Sequence, residues 1–285
     1  MDASSQIPAE RREYKYLIPR RLMEPIREAA RMVGDLDHHA GPDGQYCIRS
    51  LYFDDYRYSL FNANEREQSD RYKVRVRSYP EKEGSPAFLE VKRRIQDVIV
   101  KSRVSVPMED WAELVQTLKV DQVEGLSKRG RQAAERFLSL VHIHHLRPVL
   151  LVDYQREAWI SRVDDYARLT FDHHITSQVH ETLDLVADPR RWRSSDHRIQ
   201  TSTAEPMVVL ELKFANAAPA WMVSMVRRMG LTRHSFSKYC YGIVNQHQAP
   251  MEMRTPAYQT PPARTESATT SWAYDRSLKL AGRGL

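Results

Sequence analysis

Cysteine is scarce in this sequence, and long apolar runs are missing. Its 285 residues include 2 cysteines, Cys47 and Cys240, which lie too far apart for the paired spacing of a structural zinc site. We predict reduced thiols that pack in the core. No stretch approaches the roughly 18 consecutive apolar residues of a membrane-spanning helix, and Met1–Arg12 lacks the apolar segment of a signal peptide. These absences favour a cytoplasmic protein.

A dominant charge of one sign is also missing. Lysine and arginine number 43 against 37 aspartates and glutamates, so the net charge is +6. This excess is too small for a histone-like cationic coat, although it agrees with an anionic partner. The 41% of apolar residues suffices for a large core at this length. The composition therefore predicts a globular protein.

The chain divides into a leader, one folded domain and a tail. We predict a flexible leader over residues 1–10, a single domain over 11–248, and a disordered tail over 249–285, where proline, threonine and serine replace aliphatic residues. The hydrophobic pattern predicts helices over 22–33, 109–118, 127–142 and 219–229. Alternating segments predict eight or nine strands, including one at 181–186, with an irregular loop over 188–204. The predicted fold class is α+β: an antiparallel barrel of about eight strands, closed or nearly closed, with helices packed outside.

One predicted strand carries a run of cations. In the segment Arg71–Arg77 the side chains alternate between two faces, and Arg71, Lys73, Arg75 and Arg77 share one of them. Four cations on one face of a short strand repel each other unless an anion lies among them. The alternative is a half-buried strand whose basic outer face is solvated.

The same alternation of charged and apolar residues recurs in other predicted segments. The cations concerned are Lys15, Lys92, Lys101, Arg103, Arg156, Arg168, Lys213 and Lys238. If these faces converge, they line a cationic tunnel, and only a polyanion would offset the cost of burying so many cations. Arginine forks suit phosphate oxygens. The few acids on these faces suit a divalent cation that bridges phosphates, and they are Glu13, Glu90 and Glu211.

Five short motifs carry a resemblance to a known family. They are Arg11-Arg12-Glu13-Tyr14-Lys15-Tyr16, Tyr72-Lys73-Val74-Arg75-Val76-Arg77, Leu89-Glu90-Val91-Lys92, Leu210-Glu211-Leu212-Lys213 and Ser235-Phe236-Ser237-Lys238-Tyr239. In this order they resemble the VTC (vacuolar transporter chaperone) polyphosphate polymerase domain, a member of the CYTH-like triphosphate tunnel metalloenzymes. The resemblance spans residues 10–245. It implies an antiparallel β-tunnel that transfers the γ-phosphate of ATP onto a polyphosphate chain with a divalent metal, Mn²⁺ or Mg²⁺.

Matched residue by residue, the resemblance assigns roles on the predicted tunnel face. The catalytic set that grips phosphates is Lys15, Arg75, Arg77, Lys92, Arg156 and Lys238. A second phosphate-binding set, which matches the motifs less closely, is Lys73, Lys101, Arg103, Arg168 and Lys213. The metal would be held by Glu211, together with Glu13 and Glu90. Charge neutralisation and in-line positioning would then supply most of the catalysis.

Three other functions stay open at this point. Hydrolytic relatives carry an E-x-E-x-K pattern near the N-terminus, whereas this chain has Arg11-x-Glu13-x-Lys15, which favours a transferase over a triphosphate hydrolase. A nucleic-acid-binding module with an OB-like fold would mix basic and aromatic residues as Tyr72–Tyr79 does, but the recurrent Glu-x-Lys pairs are unsuited to a nucleic-acid groove. The third is a tunnel that binds polyphosphate or nucleotide without turnover. We expect no specific nucleic acid as a partner.

Histidines cluster at three places, namely His38-His39, His142-x-His144-His145 and His173-His174. They fall on a predicted loop, a helix end and a strand, without cysteines or suitably placed partners. We therefore expect no metal site at any of them. Likewise, the helical spacing of Met222, Met225 and Met229 predicts a buried helix face rather than a cofactor site.

Overall fold

The structure, a computed structural model, describes residues 11–247 apart from positions 97, 121, 122 and 124. The predicted leader and tail lie outside the described residues. The strands are β1 (Arg11–Pro19), β2 (Gly34–Leu36), β3 (Gln45–Asp54), β4 (Asp70–Ser78), β5 (Ala87–Ile95), β6 (Val98–Val106), β7 (Arg147–Ser161), β8 (Ala167–Val179), β9 (Arg193–Ser194) and β10 (Met207–Ala215). The helices are α1 (Met23–Val33), α2 (Ser59–Glu65), α3 (Trp111–Thr117), α4 (Lys128–Ile143), α5 (Arg198–Thr201), α6 (Ala220–Arg228) and α7 (Lys238–Gln246), with a 3₁₀ turn (Arg20–Leu22) before α1.

The strands form one antiparallel sheet that curls on itself. Its main order is β1-β10-β8-β7-β3-β4-β5-β6, and the short β2 and β9 pair with β7 and β8. Although β1 and β5 are far apart in this order, Glu13 of β1 contacts Lys92 of β5 at 3.5 Å. Within the described residues, β1 and β6 end the sheet and do not pair with each other. The predicted α+β fold with a tunnel-like antiparallel sheet is therefore confirmed. Over the described chain, the sheet is curled and does not close into a barrel.

The convex face of the sheet is covered by four helices. Helices α3 and α4 pack on β3–β6 through buried residues such as Val74, Val91 and Phe137. Helices α1 and α6 pack on β1, β8 and β10, where Met222 and Met225 are buried as predicted. Because alternate side chains of a strand point to opposite faces, these apolar residues leave their charged neighbours on the concave face. The predicted helices over 22–33, 109–118, 127–142 and 219–229 are confirmed within a few residues.

Helix α7 packs inside the curl rather than outside it. Its residues Tyr239, Cys240 and Ile243 contact a cluster that includes Leu150 and Val152 of β7. These strand residues share the concave face with the charged side chains, and they are apolar where the helix covers them. The Ser237 hydroxyl caps the helix by accepting a hydrogen bond from the backbone N–H of Cys240 at 3.3 Å. One part of the concave face is therefore an apolar core, and the charged part remains beside it.

The strand predicted at 181–186 is wrong, because that segment is irregular. The Asp184 carboxylate accepts a hydrogen bond from the backbone N–H of Val186 at 2.8 Å and contacts the His180 ring at 3.1 Å. Such local side-chain bonds compete with a strand ladder. The alternating Leu183 and Leu185 pack against the core beside α4 as loop residues. The predicted loop over 188–204 holds the two-residue β9 and the short α5.

Both cysteines are free thiols, as predicted. Cys240 is buried in the concave core, and burial raises its pKa to about 11. Cys47 is half-buried, and burial raises its pKa to about 12. Neither thiol is therefore activated as a nucleophile. In the described part of the chain, no helix combines the length and apolarity needed to cross a membrane.

Candidate functional site

The pairing register brings the predicted site residues onto the concave face. Lys15 lies opposite Glu211, and Lys213 lies opposite Arg168. Further along the sheet, Arg156 pairs with position 172, Arg77 with Ser50, Arg75 with Glu90, and Lys92 with both Lys73 and Lys101. Residues directly opposite each other in an antiparallel pair share a face. The cations of the sheet therefore converge, and Lys238 joins them from the first turn of α7.

One cluster of charges surrounds Glu211. Its carboxylate lies 2.7 Å from Lys213 Nζ, 3.3 Å from Lys15 Nζ and 3.5 Å from Arg156 Nη2. Lys238 Nζ is 3.9 Å away. Burial opposes ionisation of Glu211, but these four cations outweigh it and hold the pKa of the carboxyl well below its usual range. Glu211 therefore stays ionised at neutral pH.

Asp172 completes this cluster, and the sequence analysis missed it. Both of its oxygens accept hydrogen bonds from the Arg156 guanidinium, at 2.6 Å each, and Lys238 contacts it as well. It is fully buried. Burial opposes its ionisation, yet Arg156 and Lys238 lower its pKa. The available signal was spacing, since Asp172 lies four residues after Arg168 on a strand and so shares its face.

A second cluster surrounds Glu90. Its Oε2 accepts a hydrogen bond from Arg75 Nε at 2.7 Å and lies 3.8 Å from Arg77 Nε, while Oε1 lies 3.4 Å from Arg103 and 3.5 Å from Lys101. Burial disfavours the charged carboxylate, but these cations lower its pKa strongly. Glu90 Oε2 is hydrogen-bonded to Arg75, which favours a role in orienting the arginines, whereas the buried Oε1 has ion pairs but no hydrogen-bond partner among the described residues.

Some cations on this face are incompletely paired. In the part of the chain that the structure describes, no carboxylate forms an ion pair with Lys73; burial, followed by the nearby Lys15, Lys92 and Arg71, lowers the Lys73 pKa to about 8. Arg77 is buried, and its Nε has no hydrogen-bond partner. A half-buried ammonium group without a counter-charge and a buried guanidinium N–H without an acceptor are both costly. Both groups are therefore suited to binding an anion.

Glu13 links the two clusters and bears on the metal prediction. It contacts Lys92 at 3.5 Å and Lys15 at 3.4 Å. Burial and the Glu211 charge raise its pKa, but Lys15, Lys92 and Lys213 outweigh both and lower it to about 2. Lys15 Nζ thus lies between two ionised carboxylates, Glu13 and Glu211. Their oxygens converge where one positive charge already sits, and hard oxygen donors fit Mg²⁺ or Mn²⁺.

Two tyrosines also face the charged region and were not singled out. Tyr52 accepts a hydrogen bond from Arg75 Nη1 at 3.0 Å. Tyr154 is buried, with Lys238 Nζ 4.4 Å and the Arg156 guanidinium 5.4 Å from its ring centre. Burial raises the pKa of Tyr154, but Arg77, Arg156 and Lys238 outweigh it and lower the pKa. The signal for Tyr154 was its position two residues before Arg156.

Arg168 is the predicted cation with a partner outside these clusters. It donates to Asp37 Oδ2 at 2.9 Å. Ligand atoms of Asp37, His38 and His39 lie within 4.8 Å of one another. Asp37 Oδ1 accepts from the His39 backbone N–H at 3.1 Å, so both carboxylate oxygens are already engaged. The convergent carboxylates Glu13 and Glu211 fit a divalent metal better than this exposed turn does.

Both the sequence and the fold are similar to those of known proteins. The sequence profile of the VTC domain matches residues 10–247. No curated protein matches the chain. Among solved structures, a putative adenylate cyclase from Bacillus halodurans is 13% identical, with a TM-score of 0.44, over 79% of this chain and 92% of that one. The PH1819 protein from Pyrococcus horikoshii OT3 is 10% identical, with a TM-score of 0.41, over 82% of this chain and 98% of that one.

Proposed function

Because this chain belongs to the VTC domain family, whose members bind triphosphates and transfer phosphoryl groups, we propose that it synthesises polyphosphate from ATP on its concave face. The observation that carries the proposal is the surplus of cations there. Within the described residues, Lys73 forms no ion pair with a carboxylate, and Arg77 Nε has no hydrogen-bond partner. A triphosphate would supply the missing negative charge and the missing acceptors.

The proposed reaction is an in-line displacement. A terminal oxygen of the growing polyphosphate attacks the γ-phosphorus of ATP, the bond from that phosphorus to the β,γ-bridging oxygen breaks, and ADP leaves with the electron pair. Arg75 and Arg77 on β4 and Arg156 on β7 are proposed to hold the phosphate oxygens. Lys15, Lys92 and Lys238 add point charges, with Lys73, Lys101, Arg103, Arg168 and Lys213 around them. Fixed cations in a water-poor site lower the barrier by stabilising negative charge as it shifts onto ADP.

We propose that Glu211 and Glu13 hold the divalent metal, which would neutralise phosphate charge and fix the geometry of the chain. Glu90 was also predicted as a ligand, but its four basic neighbours favour the orienting role. In a Glu211→Gln variant we expect the dependence of product formation on Mn²⁺ concentration to weaken, while tripolyphosphate still binds. Equal metal dependence in this variant and in the wild-type protein would remove Glu211 from the metal site.

The deciding experiment is incubation of the purified chain with ATP and Mn²⁺, with products resolved by ³¹P NMR and gel electrophoresis. Long-chain polyphosphate with equimolar ADP is the expected result. Orthophosphate or pyrophosphate alone would instead indicate a triphosphate hydrolase, and stabilisation by tripolyphosphate without turnover would indicate a binding module. A double variant, Arg75→Ala with Arg77→Ala, serves as the inactive control. The cytoplasmic location stays a prediction.

A further inference from the structure

A recess on the opposite side of the sheet from the charged clusters has features of a second ligand site. It has a volume of about 330 Å³ and lies where the 3₁₀ turn and the first turn of α1 meet β8 and the start of β3. Its lining includes Arg20, Arg21, Arg27, Glu24, Gln45 and His173. None of these residues belongs to the proposed catalytic face.

His173 lines this recess with two ring nitrogens that lack hydrogen-bond partners within the described residues. It is only 5% exposed, and neither ring nitrogen has a hydrogen-bond partner. Burial, followed by the nearby His174 and Arg20, lowers its pKa to about 4, so the ring is neutral at pH 7. A neutral imidazole has one donor and one acceptor nitrogen. Leaving both unpaired in a buried position is costly, and native proteins rarely do so.

A bulge in β8 brings a second histidine, His174, next to His173 at this recess. The register between β7 and β8 shifts at Asp153/Gln155, and His174 has a φ of 51°. In a regular strand His173 and His174 would point to opposite faces, but their ring centres are 4.8 Å apart. His174 Nε2 in turn lies 3.2 Å from Arg20 Nη1. The bulge therefore gathers two imidazoles and one guanidinium at the same spot.

Arg20 is the uncommitted cation of the recess. Arg21 pairs with Glu205, and Arg27 pairs with Glu157 and Glu24. Within the described chain, Arg20 forms no ion pair with a carboxylate, and its only side-chain hydrogen bond is the one with His174. The backbone N–H groups of Arg21 and Met23 at the start of α1 are already bonded, since the first donates to the Glu205 carboxylate at 3.1 Å and the second donates to the Arg20 carbonyl. The groups of the recess that can bind an anion are therefore the side chains of Arg20 and His173.

We propose that this recess binds a phosphate group, held by the side chains of Arg20 and His173. The guanidinium fork matches two phosphate oxygens. A hydrogen phosphate offers both acceptor oxygens and an O–H donor, and so it satisfies a neutral imidazole, whereas sulfate at neutral pH offers acceptors alone. The phosphate is either free orthophosphate or the end of a polyphosphate chain. This site is separate from the concave face and does not depend on the reaction proposed there.

The test follows the His173 ring directly. The full chain is labelled with ¹⁵N-histidine, and long-range ¹H–¹⁵N spectra are recorded during titration with sodium phosphate, then with sodium sulfate. The work is done in the Arg75→Ala, Arg77→Ala background to weaken binding on the concave face, and repeated in the wild-type chain. In both proteins we expect the ¹⁵N chemical shifts of the His173 ring to change with phosphate concentration and to reach saturation. Absence of these changes, or equal changes with sulfate, would overturn the proposal.

Two variants on neighbouring elements sharpen the result. Arg20→Gln is expected to weaken phosphate binding at His173 at least about tenfold, the effect of losing one charge-assisted hydrogen bond. Arg228→Gln, which changes an exposed arginine of α6 that does not line the recess, is expected to bind as before. Equal loss in both variants would contradict the site. Tripolyphosphate that binds more tightly than orthophosphate would identify a chain end as the ligand, and weaker binding would identify free phosphate.

Discussion

Some charged residues on the concave face destabilise the protein when no anionic ligand is bound. Lys73 is the clearest example, because burial lowers its pKa to about 8 and no carboxylate in the described chain pairs with it. A lysine whose pKa falls on folding binds its proton more weakly in the folded state than in the unfolded one. Lys73 therefore destabilises the fold most where it is charged, below about pH 8, and this contribution falls as the pH rises from about 8 towards 10.5.

Replacing Lys73 by Met should remove this pH dependence. We expect Lys73→Met to be more stable than the wild-type chain at pH 7 without ligand, by up to about 3 kcal/mol, and the difference to shrink towards pH 10.5. Urea unfolding at several pH values measures it. The exposed Lys82→Met serves as control and should follow the wild-type curve. A Lys73→Met protein with no gain at pH 7 would show that Lys73 is not destabilised.

Asp172 is a residue that the sequence analysis missed, and its removal should be severe. Asp172→Asn leaves Arg156 and Lys238 buried without their main counter-charge, so we expect a loss of about 3–5 kcal/mol in the free energy of unfolding. Added tripolyphosphate should restore part of that loss, since it supplies negative charge to the same cations. The exposed pair of Asp70 and Arg93 gives the control, because Asp70→Asn should change stability little. An Asp172→Asn protein as stable as wild type would contradict the cluster.

Among the secondary-structure elements, α7 contributes both to the stability of the protein and to the proposed site. Ser237 caps α7 and Ser127 caps α4 by the same kind of hydrogen bond, to the N–H of Cys240 and of Gly130. Each serine-to-alanine change should cost about 1 kcal/mol. Only Ser237→Ala should also weaken tripolyphosphate binding, at least about threefold, because Lys238 is the first residue of α7. Thermal unfolding and calorimetric titration of both variants test this, and equal affinities would place Lys238 outside the site.

The secondary-structure elements also show which parts of the fold could be predicted from the sequence. Period-two alternation predicted the faces of β4, β5 and β6 correctly, because apolar burial on one side fixes the register of the charged side. The same alternation wrongly predicted a strand at Leu183 and Leu185, where side-chain hydrogen bonds of Asp184 stabilise a loop instead. The position of α7 could not be predicted, because its apolar residues would fit either face of the sheet. Only the complementary cluster on β7, with Leu150 and Val152, decides it.

Over the whole molecule, electrostatics on the concave face should dominate ligand binding. Removing Arg75 and Arg77 together should reduce tripolyphosphate affinity at least about a hundredfold, the effect of two charge-assisted hydrogen bonds. The variant should lose stability without ligand, because the buried Glu90 carboxylate keeps only Lys101 and Arg103 of its four cationic partners. Calorimetric titration at two salt concentrations and a thermal melt measure both effects. Wild-type affinity in this double variant would rule out the concave face as the anion site.

The edge of the curled sheet has a consequence for how the protein is made. The segment before α7 runs along the free edge of β1, where Arg233 bridges to Tyr16 and the His234 N–H donates to the Lys15 carbonyl. From there the chain turns into the concave core, which joins Ile48 of β3 to Ile243 of α7. During synthesis this core stays open until α7 has left the ribosome. The apolar half of the concave face, whose strands all precede α7 in the chain, is therefore exposed to chaperones and to other nascent chains until that point.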